Sequence, residues 1–155
     1  MNLDGKRVVI TGASRGIGAE IAKEFAAAGS QVVLSARTES AISNLANEID
    51  GISIPFDAND PEDARTYIDN VENNVGPIDV LINNAGIEKS TLIEDITEKE
   101  IEETLRINLI TPQVLTAAVL PKMLSRGAGH LVYTSSIAAT TGNPAMSAYC
   151  SSKAG

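Results

Sequence analysis

Aromatic side chains make up only 3% of this sequence, and tryptophan is absent. That scarcity argues against stacking on single-stranded nucleic acid. Positive charge is also in short supply: 12 Lys and Arg stand against 20 Asp and Glu, a net charge of −8. A phosphate backbone or an anionic membrane is therefore not expected as the main partner, although a local cationic pocket for a small anion remains open. The single cysteine, Cys150, excludes an internal disulfide and a cysteine zinc site, and the single histidine, His130, excludes a multi-histidine metal centre. No metal is expected, and a reducing, cytoplasmic setting is. No apolar run approaches the roughly 20 residues that cross a bilayer, so no membrane span is expected. The opening Met-Asn-Leu-Asp-Gly-Lys-Arg lacks a cleavage site and does not read as a signal peptide. Repeats, low-complexity tracts and linkers are missing too. What is present, 155 residues of which 43% are hydrophobic and 21% charged, suits one globular domain over residues 1–155.

Short β-branched runs alternate with helical patterns. Strand-like runs fall at 6–11, 31–35, 52–56, 78–82 and 129–135. Between them, helical periodicity covers 17–28 (closed by Gly29), 39–49, a stretch from Pro61 to about Val75, and a long stretch from about Glu98 to Leu124. Strands that are apolar throughout are buried on both faces, and five of them joined by helices predict an α/β fold with a doubly wound parallel sheet. A last helix starts near Ser147 and has room for about two turns before Gly155, so the chain is expected to stop inside an element.

Four places carry chemistry. Thr11-Gly12-Ala13-Ser14-Arg15-Gly16-Ile17-Gly18 joins the first strand to the first helix. Glycines there let a backbone approach a pyrophosphate at a helix N-terminus, although the same residues also make a plain tight turn. The spacing G-x-x-x-G-x-G is neither the usual dinucleotide fingerprint nor a P-loop. At the end of the second strand, where NAD-binding domains place a carboxylate, stand Ala36 and Arg37. A guanidinium there suits a 2′-phosphate, with Arg15 as a second cation. Asn83-Asn84-Ala85-Gly86 closes the fourth strand, at the edge where open sheets bind ligands, and it also has the makings of a polar turn. Tyr149 and Lys153 lie four apart on one helix face, with Ser136 thirteen residues before Tyr149. An isolated phenol has a pKa near 10, and a neighbouring ammonium favours its anion. Such a pair can exchange a proton with a carbonyl or alcohol while a serine hydrogen-bonds the same oxygen. Cys150, His130 and the acidic run from Glu94 to Glu103 are read as packing and solvated surface.

In this order, Thr11 to Gly18, Asn83 to Gly86, Asn108, Ser136 and Tyr149-x-x-x-Lys153 resemble the classical short-chain dehydrogenase/reductase family, in its 3-oxoacyl-acyl-carrier-protein reductase form. The glycine spacing does not match G-x-x-G-x-x-G of the extended, epimerase-like branch. The resemblance implies a Rossmann-type sheet ordered 3-2-1-4-5, lacking the family's last strands. It implies an NADP(H)-dependent oxidoreductase in which hydride passes between nicotinamide and a small-molecule carbonyl or secondary alcohol, such as a 3-oxoacyl thioester. Asn108, Ser136, Tyr149 and Lys153 would be catalytic, with Asn108 acting through a water that relays protons to Lys153. The cofactor would meet Gly12, Ser14, Arg15, Gly16, Ile17, Gly18 and Arg37. Asp57 and Ala58 would touch its adenine; Asn83, Ala85 and Gly86 would line its ribose; Tyr149 and Lys153 would complete its site. Family members dimerise through the long helix, where Leu109, Ile110, Val114, Leu115, Ala118 and Val119 form an apolar stretch. A homo-oligomer is thus implied for the full-length form. The second reading is a truncated, non-catalytic nucleotide-binding chain, or one completed by another polypeptide.

Overall fold

The computed structural model describes residues 2–155. Strands β1 (Arg7–Thr11), β2 (Gln31–Ser35), β3 (Ile52–Ser53), β4 (Val80–Asn83) and β5 (His130–Tyr133) form one sheet. All neighbours are parallel and the order is β3-β2-β1-β4-β5, the doubly wound arrangement expected. Because side chains alternate along a strand, Val8, Ile10, Val32, Leu34, Val80 and Ile82 face α1 (Gly16–Ala27) and α2 (Glu39–Glu48). Val9, Val33 and Leu81 face the opposite layer, α3 (Ala64–Asn74) and α5 (Thr111–Arg126), where Ile68, Val71, Leu115, Val119 and Met123 close the core. One step further along the strands, the same alternation turns Ser35, Thr11 and Asn83 toward the α3 and α5 side; all three are buried.

Several elements depart from expectation. Strand β3 is two residues long instead of five, since Pro55 has no N–H for a ladder. Two bonds nevertheless continue past it, from Ile54 N to the Leu34 carbonyl (3.0 Å) and from Phe56 N to the Ala36 carbonyl (3.2 Å). Strand β5 is not buried on both faces: Val132 is 43% and Tyr133 49% exposed. It is the outermost strand and pairs with β4 alone. The long helix runs from Glu98 to Arg126 in two parts, α4 (Glu98–Leu105) and α5, joined by a π turn over Arg106–Ile110. Pro112 has no N–H to offer the Asn108 carbonyl four residues back, so regular α bonding fails there and the wider turn takes over. Thr97 and Glu100 cap its start reciprocally, and Gly127 ends it at φ +67°.

This helix bears on two expectations. By length and composition it is the one helix among the described residues that could cross a membrane; Leu115, Val119 and Met123 bury that apolar character against the sheet and α3. For the same reason Leu115 and Val119 drop out of the expected surface patch, and Val114 and Ala118 pack against the core; of its members Ile110 is exposed, alongside Leu120 and Leu124 outside it. The last element, α6 (Ser147–Ala154), packs against α4, the π turn and a short 3₁₀ turn at Ile137–Ala139.

Candidate active site

At the carboxyl end of the strands, a groove of about 560 Å³ runs between the loops after β1, β2, β3 and β4. Gly12, Ser14, Arg15, Ile17, Gly18, Arg37, Asp57, Ala58, Ala85 and Gly86, all read from the sequence, lie on its wall. Gly16 and Asn83 do not. A Cβ on Gly16 would meet nothing within 4 Å, so this glycine serves the loop through its left-handed φ of +58°. Asn83 is buried beneath the groove, and neither atom of its amide has a hydrogen-bond partner among the described residues.

The close approach at this loop is specific. A Cβ on Gly12, itself at φ +67°, would stand 2.7 Å from the Ala85 Cα; one on Gly18 would collide with the Gly12 carbonyl and the Asn84 amide. Two residues that stand in the sequence motifs without a role of their own hold the arrangement. Asn84 Nδ2 donates to the carbonyls of Thr11 (3.0 Å) and Gly12 (3.2 Å), while Asn84 Oδ1 accepts from Thr134 Oγ1 (3.2 Å). Thr11 Oγ1 accepts from the N–H groups of Asn84 and Ala85, both at 3.1 Å. Loops after β1, β4 and β5 are thereby tied into one rim. The doubled asparagine was the available signal.

Charge on this rim is unbalanced. Neither Arg15 nor Arg37 makes a salt bridge or side-chain hydrogen bond among the described residues, whereas Lys6, Lys23, Lys89, Lys122 and Arg126 are each paired with a carboxylate. Helix α1 has no side-chain cap at its start, so its first N–H groups and positive dipole end face the groove uncompensated. The glycine cradle, the uncapped helix start and two free guanidinium groups together fit a dinucleotide carrying an extra phosphate.

Of the four residues expected to be catalytic, Asn108 and Lys153 meet beside Gly86. The Asn108 side chain is fully bonded: Oδ1 accepts from Ile87 N (2.9 Å), and Nδ2 donates to the Ile87 carbonyl (2.8 Å) and to Ser152 Oγ (3.0 Å). Ser152 Oγ in turn donates to the Tyr149 carbonyl (2.7 Å). One buried chain of bonds thus links the groove loop, the π turn and the helix bearing Tyr149. Ser152 was not singled out in the sequence. Lys153 Nζ donates to the Thr134 carbonyl (2.8 Å) and lies 5.8 Å from the Tyr149 ring centre. Burial lowers the Lys153 pKa from its ordinary value. A Cβ on Gly86 would sit 3.3 Å from Asn108 Oδ1 and 3.6 Å from Lys153 Nζ, so both face the floor beside that glycine. Ser136 caps the 3₁₀ turn through a bond from Ala138 N (3.2 Å), and no hydrogen bond joins it to Tyr149 among the described residues. Asn108 and Lys153 also line a second cavity, of about 400 Å³, between α5, the end of β5 and α6.

Comparison with known proteins settles the family. The short chain dehydrogenase profile matches residues 6–155. The chain belongs to the short-chain dehydrogenase family. A ketoacyl reductase of a Nostoc species is 38% identical over 99% of the chain and 55% of its own length. A short-chain dehydrogenase structure from Streptomyces avermitilis superposes with a TM-score of 0.93 at 34% identity, over 99% of this chain and 57% of that one. A gluconate 5-dehydrogenase from Burkholderia cenocepacia, solved with NADP and tartrate, gives a TM-score of 0.92 at 31% identity, over 97% and 61%. The chain spans about half the length of the curated relatives it matches. The family is one of oxidoreductases that use a nicotinamide cofactor.

Proposed function

We propose that residues 1–155 form an NADP(H)-binding domain of a carbonyl reductase or alcohol dehydrogenase. The observation that carries this is the pair of guanidinium groups, Arg15 and Arg37, without a carboxylate partner among the described residues, on the wall of a glycine-lined groove. Gly12, Ser14, Ile17, Gly18, Asp57, Ala58, Ala85 and Gly86 would hold the rest of the cofactor, with Tyr149 and Lys153 at its reactive end. When bound, NADPH supplies the hydride for the carbonyl carbon.

The chain's own residues manage the oxygen. Tyr149 would give its hydroxyl proton to the carbonyl oxygen during reduction and take it back during oxidation, with Ser136 donating a hydrogen bond to the same oxygen. Lys153 favours the phenolate left behind. Asn108 would hold a water that relays a proton to Lys153, and Lys153 would pass it on to the Tyr149 phenolate; with the Asn108 side chain engaged by Ile87 and Ser152, its backbone carbonyl, denied an α-helical donor by Pro112, is the group we assign to that water. A 3-oxoacyl thioester is the substrate we favour, supported by the ketoacyl reductase likeness. A cytoplasmic, homo-oligomeric full-length form accompanies this reading.

The exposed outer strand β5 supports a second reading, in which these residues bind nucleotide alone or are completed by another polypeptide. Tyr149 must be held within hydrogen-bond reach of the carbonyl, and about 1 Å of misplacement can cost a hundredfold in rate. The two readings separate in one assay, NADPH oxidation against acetoacetyl thioesters. The 155 residues on their own should turn over at least a hundredfold more slowly than a chimera continuing into the remainder of the Streptomyces relative, and Tyr149→Phe should abolish the chimera's activity. An inactive chimera that still binds NADPH would favour the nucleotide-binding reading. Rapid Tyr149-dependent turnover by the 155 residues would show that β5 needs no completion.

A further inference from the structure

Beneath the part of the groove that holds Arg37 and Asp57 lies a polar contact that the proposed chemistry does not use. Tyr67 on α3 is 3% exposed, and its hydroxyl meets Ser35 Oγ in a short hydrogen bond. Ser35 Oγ also bonds to the Ile54 carbonyl at 2.9 Å. A carbonyl only accepts, so the single Ser35 proton goes to Ile54, and Tyr67 must be the donor to Ser35. Burial pushes the Tyr67 hydroxyl well above the ordinary phenol range, so it remains a donor throughout the working pH range. The Tyr67 ring meanwhile stacks on Phe56, with centres 4.7 Å apart and planes inclined by 30°.

These contacts grip two chain ends. Ser35 is the last residue of β2, immediately before Ala36 and Arg37 on the groove wall; Ile54 and Phe56, one strand over, lead to Asp57 and Ala58 on the same groove. Beyond β3 the two segments share only two backbone bonds, and Pro55 contributes none. A side chain that fixes both ends at once therefore sets the spacing of Ala36 and Arg37 from Asp57 and Ala58.

We infer that Tyr67 is a positioning residue for cofactor choice, its hydroxyl holding Ser35 and Ile54 so that Arg37 and Asp57 keep a fixed separation. This rests on the NADP reading of the groove. A Tyr67 that merely satisfies its own buried hydroxyl would contribute stability and nothing else.

Calorimetric titration of the 155-residue chain with adenosine 2′,5′-bisphosphate and with 5′-AMP tests the inference. Tyr67→Phe keeps the ring and removes the hydroxyl. It should shrink the preference for the bisphosphate five- to tenfold, with the far-ultraviolet spectrum unchanged. Should that variant not fold, Ser35→Ala breaks the same link from the other side and should shrink the preference likewise. Hydrogen exchange should also quicken at the Phe56 amide in whichever variant is used. A preference retained within twofold in a folded variant overturns the positioning role. A parent chain with no preference for the bisphosphate overturns the NADP reading instead, and the role of Tyr67 with it.

Discussion

The two ends of the sheet are built on opposite rules. At the amino end of the strands nearly every charge is matched. Lys6 pairs with Asp79 at 3.1 Å, and Arg7 donates to Gln31 Oε1 (2.8 Å) and to the Pro77 carbonyl (2.9 Å). Arg126 holds Glu72 with two bonds (2.9 and 3.0 Å) and also donates to the Ile78 carbonyl, while Glu72 accepts from Ile78 N. At the carboxyl end neither Arg15 nor Arg37 has a salt-bridge or side-chain hydrogen-bond partner among the described residues. The first end is satisfied by the chain itself. The second leaves two guanidinium groups without a carboxylate around a groove, as expected where an open α/β sheet binds its ligand. Stability and ligand choice should therefore respond to different substitutions.

The largest separation is expected at Glu72, whose side chain is only 9% exposed. Glu72→Ala strips Arg126 of its carboxylate and leaves Ile78 N without an acceptor, which should cost about 2–3 kcal/mol. For a chain of this size that lowers the melting temperature by roughly 5–10 °C. The preference for NADPH over NADH, measured below the transition, should not move. If it does, the two ends are coupled through β4 and the division fails.

Arg37→Ala is the converse. Losing a charge-assisted contact to a phosphate costs about 1.5–3 kcal/mol, equivalent to roughly ten- to hundredfold in affinity. The NADPH preference should collapse by that factor in titrations of both nucleotides, while the melting curve of the free chain stays within about 1 °C of the parent. Equal affinity of the parent for both nucleotides would remove the cofactor assignment altogether.

This division was legible in the sequence to different depths. The five-stranded parallel sheet, the glycine loop and Arg37 could be read because β-branched runs and helical spacing are local signals, whereas the strand order and the groove contacts of Asp57, Ala58, Ala85 and Gly86 came from the family resemblance. The brace made by Asn84 and Thr11 could not, since it depends on the loops after β1, β4 and β5 meeting in space, whereas Asn-Asn-Ala-Gly read alone is a turn. Ser152 was hidden for the same reason: its two partners lie 44 and 3 residues away in the chain. Asn108 was identified, but not the π turn around it, although Pro112 four residues later was the physical hint. Strand β5 carries the same apolar pattern as β4, and nothing in that pattern says that only one of its sides is paired.

The smallest expected effect tests the amino end by pH. Burial alone would push the Asp79 carboxyl up, but the Arg7 N–H (2.9 Å), the Lys6 ammonium (3.1 Å) and the nearby Arg7 charge outweigh it and hold the pKa below the ordinary aspartate value. With the folded pKa depressed, the unfolded chain binds more protons as the pH falls through the ordinary value, so stability declines there. The contribution is complete above about pH 4, is lost progressively below it, and has vanished once the folded pKa is passed. Glu103, held down by its bond from Lys89, and Glu100, held down by the Thr97 N–H, add their own decline slightly higher. Asp79→Asn should therefore leave the shoulder above pH 4 in place and flatten the limb below it. With Lys6 43% exposed, the loss at neutral pH should be about 1 kcal/mol or less. Urea melts of parent and variant between pH 3 and 7 measure this directly. Curves that stay parallel down to pH 3 would mean that Asp79 is not held as its contacts imply, and that the acid sensitivity of the amino end lies in other carboxylates.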